Sequence, residues 1–453
     1  MRQHWQRSAR ELQAIYRAGE GSPLEVAEAC LARIGEVNLR LNAIVALDRD
    51  GALAAAVAST ERWRRGEPLG GLDGVPLTVK DNLFVRGLPA TWGSRLFEHH
   101  VAADDDLSVA RLRAAGAVIL GKTNTPELSL AGYTDNLVFG ATGNPWAPDL
   151  SPGGSSGGAV AAVMSGMAPL ALATDAGGST RRPAAHTGCL GLKPSPARIP
   201  RRYGFPPLAS DLQAIGLLTR TTADLSAMFS CVADPAASSW SRGKRLLIGA
   251  FAQIPGHPVE PDILARWRGG CALLQELGHT VEEIEPPFDP DGVGRLLLGP
   301  ATAGVARVVR QHAGWQDRVT PAIAALAQTG GEAKAADYVD QMDAIQAFRW
   351  QMADLLARYD LLVTPTAPVL LWPKAEPFPK HVDGREAAPR AGAIYTTFAN
   401  VAALAGLSIP VAAAANGQPI GLQLVGPAGS EERLIEIAGE WEQRAPWPTL
   451  APL

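Results

Sequence analysis

Ser151-Pro-Gly-Gly-Ser-Ser-Gly-Gly158, followed after a run rich in Ala, Gly and Ser by Asp175-Ala-Gly-Gly-Ser-Thr-Arg181, is the stretch on which the reading of this chain turns. It places Ser155 and Ser179 on two glycine-lined turns. Glycines leave backbone N–H groups unobstructed by side chains, and N–H groups that converge on one point stabilise the oxyanion of an acyl-transfer intermediate. The competing reading is a pair of tight turns packed against a small-residue helix. A base decides between them. Upstream, Gly74-Val-Pro-Leu-Thr-Val-Lys80-Asp-Asn82 sets a lysine at the end of an apolar run, where its ammonium loses water if the run is a core strand. Otherwise such a lysine is an ordinary surface charge.

Two nearby motifs point elsewhere and fail on context. Gly116-Ala-Val-Ile-Leu-Gly121-Lys122-Thr123 matches the nucleotide-binding pattern G-x-x-x-x-G-K-[ST], but that pattern needs a flexible loop after a strand. Here the four intervening residues are themselves the strand. Gly153-Gly154-Ser155-Ser156-Gly157 contains the nucleophile-elbow pattern G-x-S-x-G, which requires an apolar strand immediately before it. The proline-rich Asn144-Pro-Trp-Ala-Pro-Asp-Leu-Ser-Pro152 stands there instead, and His257 and His381 lie in loop-like surroundings.

Further out, Ser22-Pro23-Leu24-Glu25 is a capping box with Pro at the first helical position and predicts an amphipathic helix over 23–38. The acidic residues 104–106 start a helix over 107–115, stopped by Gly116 and followed by a buried strand over 117–120. A helix over 271–277, strands over 280–284, 359–363 and 421–425, a mostly helical segment over 286–358 and a surface loop over 371–390 complete the coarse reading. Helix and strand signals alternate from end to end without a polar linker or repeat. The expectation is one α/β domain spanning 1–453.

Composition bounds the rest. Charged residues are 19% and hydrophobic residues 47% of 453, which argues against disorder, while 47 Gly and 36 Pro imply many turns. A net charge of −4 with no long run of one sign gives no footprint for nucleic acid or anionic membrane, so neither is expected as a partner. Cys30, Cys189, Cys231 and Cys271 are too dispersed for a zinc ribbon or a disulfide framework. With no apolar leader after Met1, the expected location is cytoplasmic.

Taken together, Lys80, Ser155 and Ser179 give the chain a specific resemblance to the amidase signature family, whose members hydrolyse amides with a Ser-Ser-Lys triad. The lysine precedes the first serine by 75 residues and the serines are 24 apart, intervals similar to those of family members. Gly121-Lys-Thr-Asn-Thr-Pro-Glu127, Gly140-Ala-Thr-Gly-Asn-Pro-Trp146, Cys189-Leu-Gly-Leu-Lys-Pro194, Tyr359-Asp-Leu-Leu-Val-Thr-Pro365 and Pro419-Ile-Gly-Leu-Gln-Leu-Val-Gly426 extend it over nearly the whole chain except about 235–350.

The resemblance implies a single domain with a mixed, twisted central β-sheet covered by helices on both faces. It implies Ser179 as nucleophile, Ser155 as bridging serine held in a cis peptide, and Lys80 as base. The implied oxyanion donors are the N–H groups of Ala176, Gly177, Gly178 and Ser179, with Asp175, Arg181 and Ser156 as structural support. A substrate-carboxylate clamp is the competing role for Arg181. The implied pocket wall is Ser129, Leu130, Ala131 and Gly132, together with the helical segment over 286–358.

Some positions depart from the pattern. Thr180 replaces a common Ile, Leu217 follows Gly216 where Pro is common, and Arg182-Pro-Ala-Ala-His186 replaces a less charged run. His186 is a competing base. No metal or organic cofactor is needed. The expected reaction is hydrolysis of a small aryl or alkyl carboxamide, with a small-molecule amide and a second copy of the chain as partners. Two alternatives stay open: the amidase component of a tRNA-dependent glutamine amidotransferase, and a non-catalytic interaction protein on the same fold.

Overall fold

The computed structural model describes residues 2–235 and 243–453. Its strands are, in chain order, β1 Ile44–Leu47, β2 Pro76–Lys80, β3 Val118–Thr123, β4 Leu170–Asp175, β5 Leu190–Lys193, β6 Ala214–Thr219, β7 Leu247–Ala250, β8 Thr280–Glu283, β9 Leu361–Pro365, β10 His381–Val382, β11 Arg385–Glu386, β12 Ala405–Val411 and β13 Ile420–Gly426. Eleven of them form one mixed sheet in the order β1-β3-β2-β4-β6-β5-β12-β13-β9-β7-β8, and β10 pairs with β11 alone. Strands β3, β2 and β4 run parallel, as do β9, β7 and β8, while the pairs joining these two groups are antiparallel. The chain is a single large α/β domain built on this sheet.

The large–small alternation of Leu170-Ala-Leu-Ala173 shows how sequence selects the two faces. Leu170 and Leu172 join the main core with Leu77, Val79, Leu217 and Leu407, whereas Ala171 and Ala173 pack against Ala159, Val160 and Val163 of the helix Gly157–Met164. Every residue of that helix is buried. Small side chains let it lie against the sheet, and a Cβ at Gly158 would overlap the backbone of Asn124. Because β2 and β4 are parallel neighbours, their ends bring Lys80 and Asp175 to one edge of the sheet, where loops after parallel strands commonly build a site.

The predicted helix over 23–38 runs Pro23–Leu41 with its capping box formed, and the unit predicted from 104 is the helix Leu107–Ala114 followed by β3. β3 continues through Gly121, Lys122 and Thr123, so the nucleotide-like pattern is strand and not loop. Lys122 is fully buried and donates to Pro89 O at 2.9 Å. The segment over 286–358 holds the helices Pro290–Val309, Pro321–Glu332 and Ala335–Arg358. The surface loop expected over 371–390 is corrected in part. It carries the β10–β11 pair and buries Trp372 and Val382 in a small apolar cluster, because those two side chains have apolar partners in Val369, Ala387 and Ala391. Among the described residues, no helix is long and apolar enough to cross a membrane.

Candidate active site

Lys80 closes β2, a strand buried along its whole length between β3 and β4. Its Nζ lies 2.7 Å from Ser155 Oγ, 3.0 Å from Ser156 Oγ and 3.3 Å from Thr174 Oγ1. Burial pushes the Lys80 ammonium well below the ordinary lysine value; Asp175 opposes this and Arg201 adds to it. Thr174 is held from the other side by Asn82 Nδ2 at 2.9 Å. Thr174 and Asn82 were not singled out from the sequence, although both border the lysine and serine motifs.

Ser155 follows a cis Gly154–Ser155 peptide, and Ser156 caps the helix Gly157–Met164. A Cβ on Gly154 would overlap the backbone of Tyr133, so glycine is required by close approach. Ser156 N–H donates to Ser179 O at 3.2 Å, which ties the two serine turns together. Ser155 and Ser179 line one small cavity of about 60 Å³ with Leu128, Thr174, Ala176, Gln213 and Leu297. No hydrogen bond joins the two hydroxyls among the described residues. Catalytic contacts of this kind often tighten only when substrate is bound.

Asp175 organises the second turn. Its Oδ1 accepts from Gly178 N at 2.7 Å and its Oδ2 from Thr180 N at 3.0 Å, while Arg181 reaches both oxygens through Nη2 at 2.9 Å and Nε at 3.0 Å. Both side chains are fully buried. Burial alone would raise the Asp175 carboxyl, but the Arg181 charge and hydrogen bonds, with Lys193, hold it well below the usual carboxylate range. Arg181 also donates through Nη1 to Thr396 O at 3.0 Å and Gln423 Oε1 at 2.6 Å. Its donors are engaged by the protein's own acceptors, which fits the bracing role and leaves little for a substrate clamp. Asn400 completes the network by donating to Asp175 Oδ1 at 3.0 Å.

The four expected oxyanion donors are reduced by this arrangement. Gly178 N–H is already taken by Asp175, because the carboxylate sits beneath the turn. The N–H groups of Ala176, Gly177 and Ser179 have no acceptor among the described residues. Gly178 has φ +105°, a left-handed conformation that favours glycine, and a Cβ there would crowd Thr396 and lie 2.9 Å from Arg182 Nε.

Of the wall expected at 129–132, Ser129 and Leu130 line the cavity, but Ala131 does not and Gly132 packs on Arg182. The chain enters this stretch through left-handed backbone at Leu128 and Ser129, φ 50° and 59°. From the helical segment, Leu297, Leu298, Ala301 and Leu326 close the cavity. His186 is buried, packs edge-on against Trp372 at 5.4 Å, and is pushed down to about 3 by burial and the Arg182 charge. It is a neutral packing residue at ordinary pH. Among the described residues, no group of three or more His, Cys, Asp or Glu is placed to hold a metal ion.

Fold and site together define a hydrolase acting on carbon–nitrogen bonds. The chain belongs to the Amidase family, whose model matches residues 25–435. It is 32% identical to a glutamyl-tRNA(Gln) amidotransferase subunit from Symbiobacterium thermophilum, over 96% of each chain. It is equally similar, at 32%, to the protein of that name from Thermosynechococcus vestitus, over 96% of this chain and 97% of the other. A solved bacterial aryl acylamidase of the amidase signature family superposes with a TM-score of 0.89 at 26% identity, covering 98% of this chain and 97% of its own.

These relatives correct one expectation. The exclusion of a nucleic-acid partner was drawn from net charge, yet proteins similar along nearly the whole chain carry tRNA in their name. A net charge of −4 averages over the whole surface and is silent about a local basic face or about charge carried by other chains of an assembly.

Proposed function

We propose that this chain hydrolyses the C–N bond of a carboxamide through an acyl-enzyme on Ser179. The observation that carries the reading is Lys80: a fully buried amine, 2.7 Å from the hydroxyl of Ser155, which lines the same cavity as Ser179. A neutral amine has two N–H donors and one lone pair, which suits three surrounding hydroxyls if two accept and one donates. Neutral Lys80 takes the proton of Ser155, Ser155 takes that of Ser179, and Ser179 Oγ attacks the carbonyl carbon. The N–H groups of Ala176, Gly177 and Ser179 hold the oxyanion. The relay hands its proton to the leaving nitrogen, ammonia or an amine departs, and water then attacks the acyl-enzyme with the same base.

The expected pH profile follows from the sign of the Lys80 shift. Since the base must be deprotonated, kcat/KM falls as pH drops through the lowered pKa and reaches its plateau well before the ordinary lysine value of about 10.4. A limb centred at 10.4 would assign the base elsewhere. Wild-type-like activity in Lys80→Ala would do the same.

The relatives favour the amidotransferase setting, since both amidotransferase proteins above are named as components of such an enzyme. In that setting the ammonia comes from glutamine and the chain works beside other proteins. One observation favours a stand-alone amidase: among the described residues, no acidic side chain lines the cavity to receive the α-ammonium of glutamine. Assaying ammonia release from glutamine and from butyramide, with the chain alone and with whatever co-purifies, separates the two. Glutaminase activity that depends on a co-purified partner supports the first setting, and butyramide turnover by the isolated chain without glutamine hydrolysis supports the second. No ammonia from any amide contradicts both.

A further inference from the structure

Arg182 and Arg390 are two arginines beside the nucleophile that the reaction described above does not use. Arg182 is half-buried, its Nε is shut off from solvent, and its guanidinium makes no hydrogen bond or ion pair among the described residues. It lies against the catalytic turn: a Cβ at Gly178, next to Ser179, would be 2.9 Å from Arg182 Nε. On its other side a Cβ at Gly132 would be 3.0 Å, and one at Gly392 3.9 Å, from Nη1. The glycines at these positions leave the guanidinium its space. Arg390 lines the Ser155–Ser179 cavity, is exposed at its mouth, and likewise makes no side-chain hydrogen bond or ion pair among the described residues.

Two like charges brought together without a counter-ion repel each other, and partial burial adds a desolvation cost. Burial and the Arg390 charge together push Arg182 down to about 10. The acid nearest in sequence, Asp175, is committed to Arg181. Arginine's planar fork pairs with carboxylates in a bidentate manner, so the missing partner matches a carboxylate in shape as well as in charge.

We propose that Arg182 and Arg390 bind a carboxylate on the acyl part of the substrate, so that the amide hydrolysed is an anionic one. This rests on the acyl-enzyme reading above. Because Arg182 lies against the turn that carries Ser179, to which the acyl group would be bonded, the charge is placed on the acyl side. Arg182 holds the group beside the turn that carries Ser179, and Arg390 closes over it from the mouth of the cavity. The sequence departure at Arg182 thereby becomes a specificity determinant, and the carboxylate clamp considered for Arg181 moves one residue along.

The test uses the whole chain and three matched pairs of primary amides: succinamate against butyramide, glutaramate against pentanamide, and adipamate against hexanamide. In at least one pair the carboxylated amide is expected to exceed its neutral partner by about 100-fold in kcat/KM. That ratio should collapse in both Arg182→Met and the more exposed Arg390→Met, chiefly through KM, and recover in part in Arg182→Lys. A neutral fluorophosphonate applied to the wild type separates the two levels of failure. If Ser179 is labelled but all three ratios stay near one, the anion site is wrong and the acyl-enzyme reading stands. If Ser179 is not labelled, the acyl-enzyme reading itself fails. A high wild-type ratio that survives in both Met variants also overturns the proposal, since the charge is then read elsewhere.

Discussion

Ser179→Ala is expected to lower kcat by a factor on the order of 10⁶ while leaving the fold intact. The size of the effect follows from the way the relay works. In the proposed relay Lys80 and Ser155 act only through the hydroxyl of Ser179, so removing it leaves nothing for the base to activate, and the residual rate comes from binding and the N–H cluster alone. The fold is spared because the Ser179 hydroxyl makes no hydrogen bond among the described residues, and loss of one oxygen from a residue 8% exposed creates little void. A change in unfolding free energy within about 0.5 kcal/mol is expected. Ammonia release and a urea melt on the same preparation check both halves. Activity within tenfold of wild type would contradict the assignment.

Asp175→Asn is expected to have the opposite signature, a large loss of stability with activity lost in consequence. The substitution keeps the size of the side chain but removes the charge that balances Arg181, leaving a fully buried guanidinium with neutral acceptors only. Breaking a buried pair by neutralising one partner costs about 3–5 kcal/mol. It also weakens the acceptor for Gly178 N–H and Thr180 N–H, and with it the shape of the turn that presents Ser179. The urea midpoint should fall at unchanged slope. A loss below about 1 kcal/mol would show that the pair is not what holds the turn. The pH dependence has a definite sign: because folding holds the Asp175 carboxyl below its ordinary value of about 3.9, its stabilisation is complete above that pH. It is then lost as pH falls below 3.9 toward the folded value.

Much of this was legible in the sequence because the informative features are local. A capping box, a glycine stop before a β-branched run, and a lysine ending an apolar strand each report on a few adjacent residues, and the structure forms the elements they predict. The spacing of Lys80, Ser155 and Ser179 identified the family, and the fold followed from the resemblance. What could not be read is what distant segments supply. Asn400, Gln423 and Thr396 complete the Asp175–Arg181 network from more than 200 residues away. Likewise Leu297 and Ala301 close the cavity from a segment whose sequence carries only a helical pattern. Gly178 was wrongly counted as a free oxyanion donor for the same reason: a glycine pattern shows that a backbone N–H is unobstructed, but not that a neighbouring carboxylate has taken it. The nucleic-acid exclusion failed differently, by treating a whole-chain sum as a local property.

Whether Ser179 is an activated nucleophile is best measured by intact mass and peptide mapping after exposure to a neutral fluorophosphonate across a pH series. The account predicts a single adduct on the 175–181 segment at Ser179, forming more slowly as pH falls through a value well below that of free lysine. An unmodified chain, or an adduct on any other residue, would contradict it.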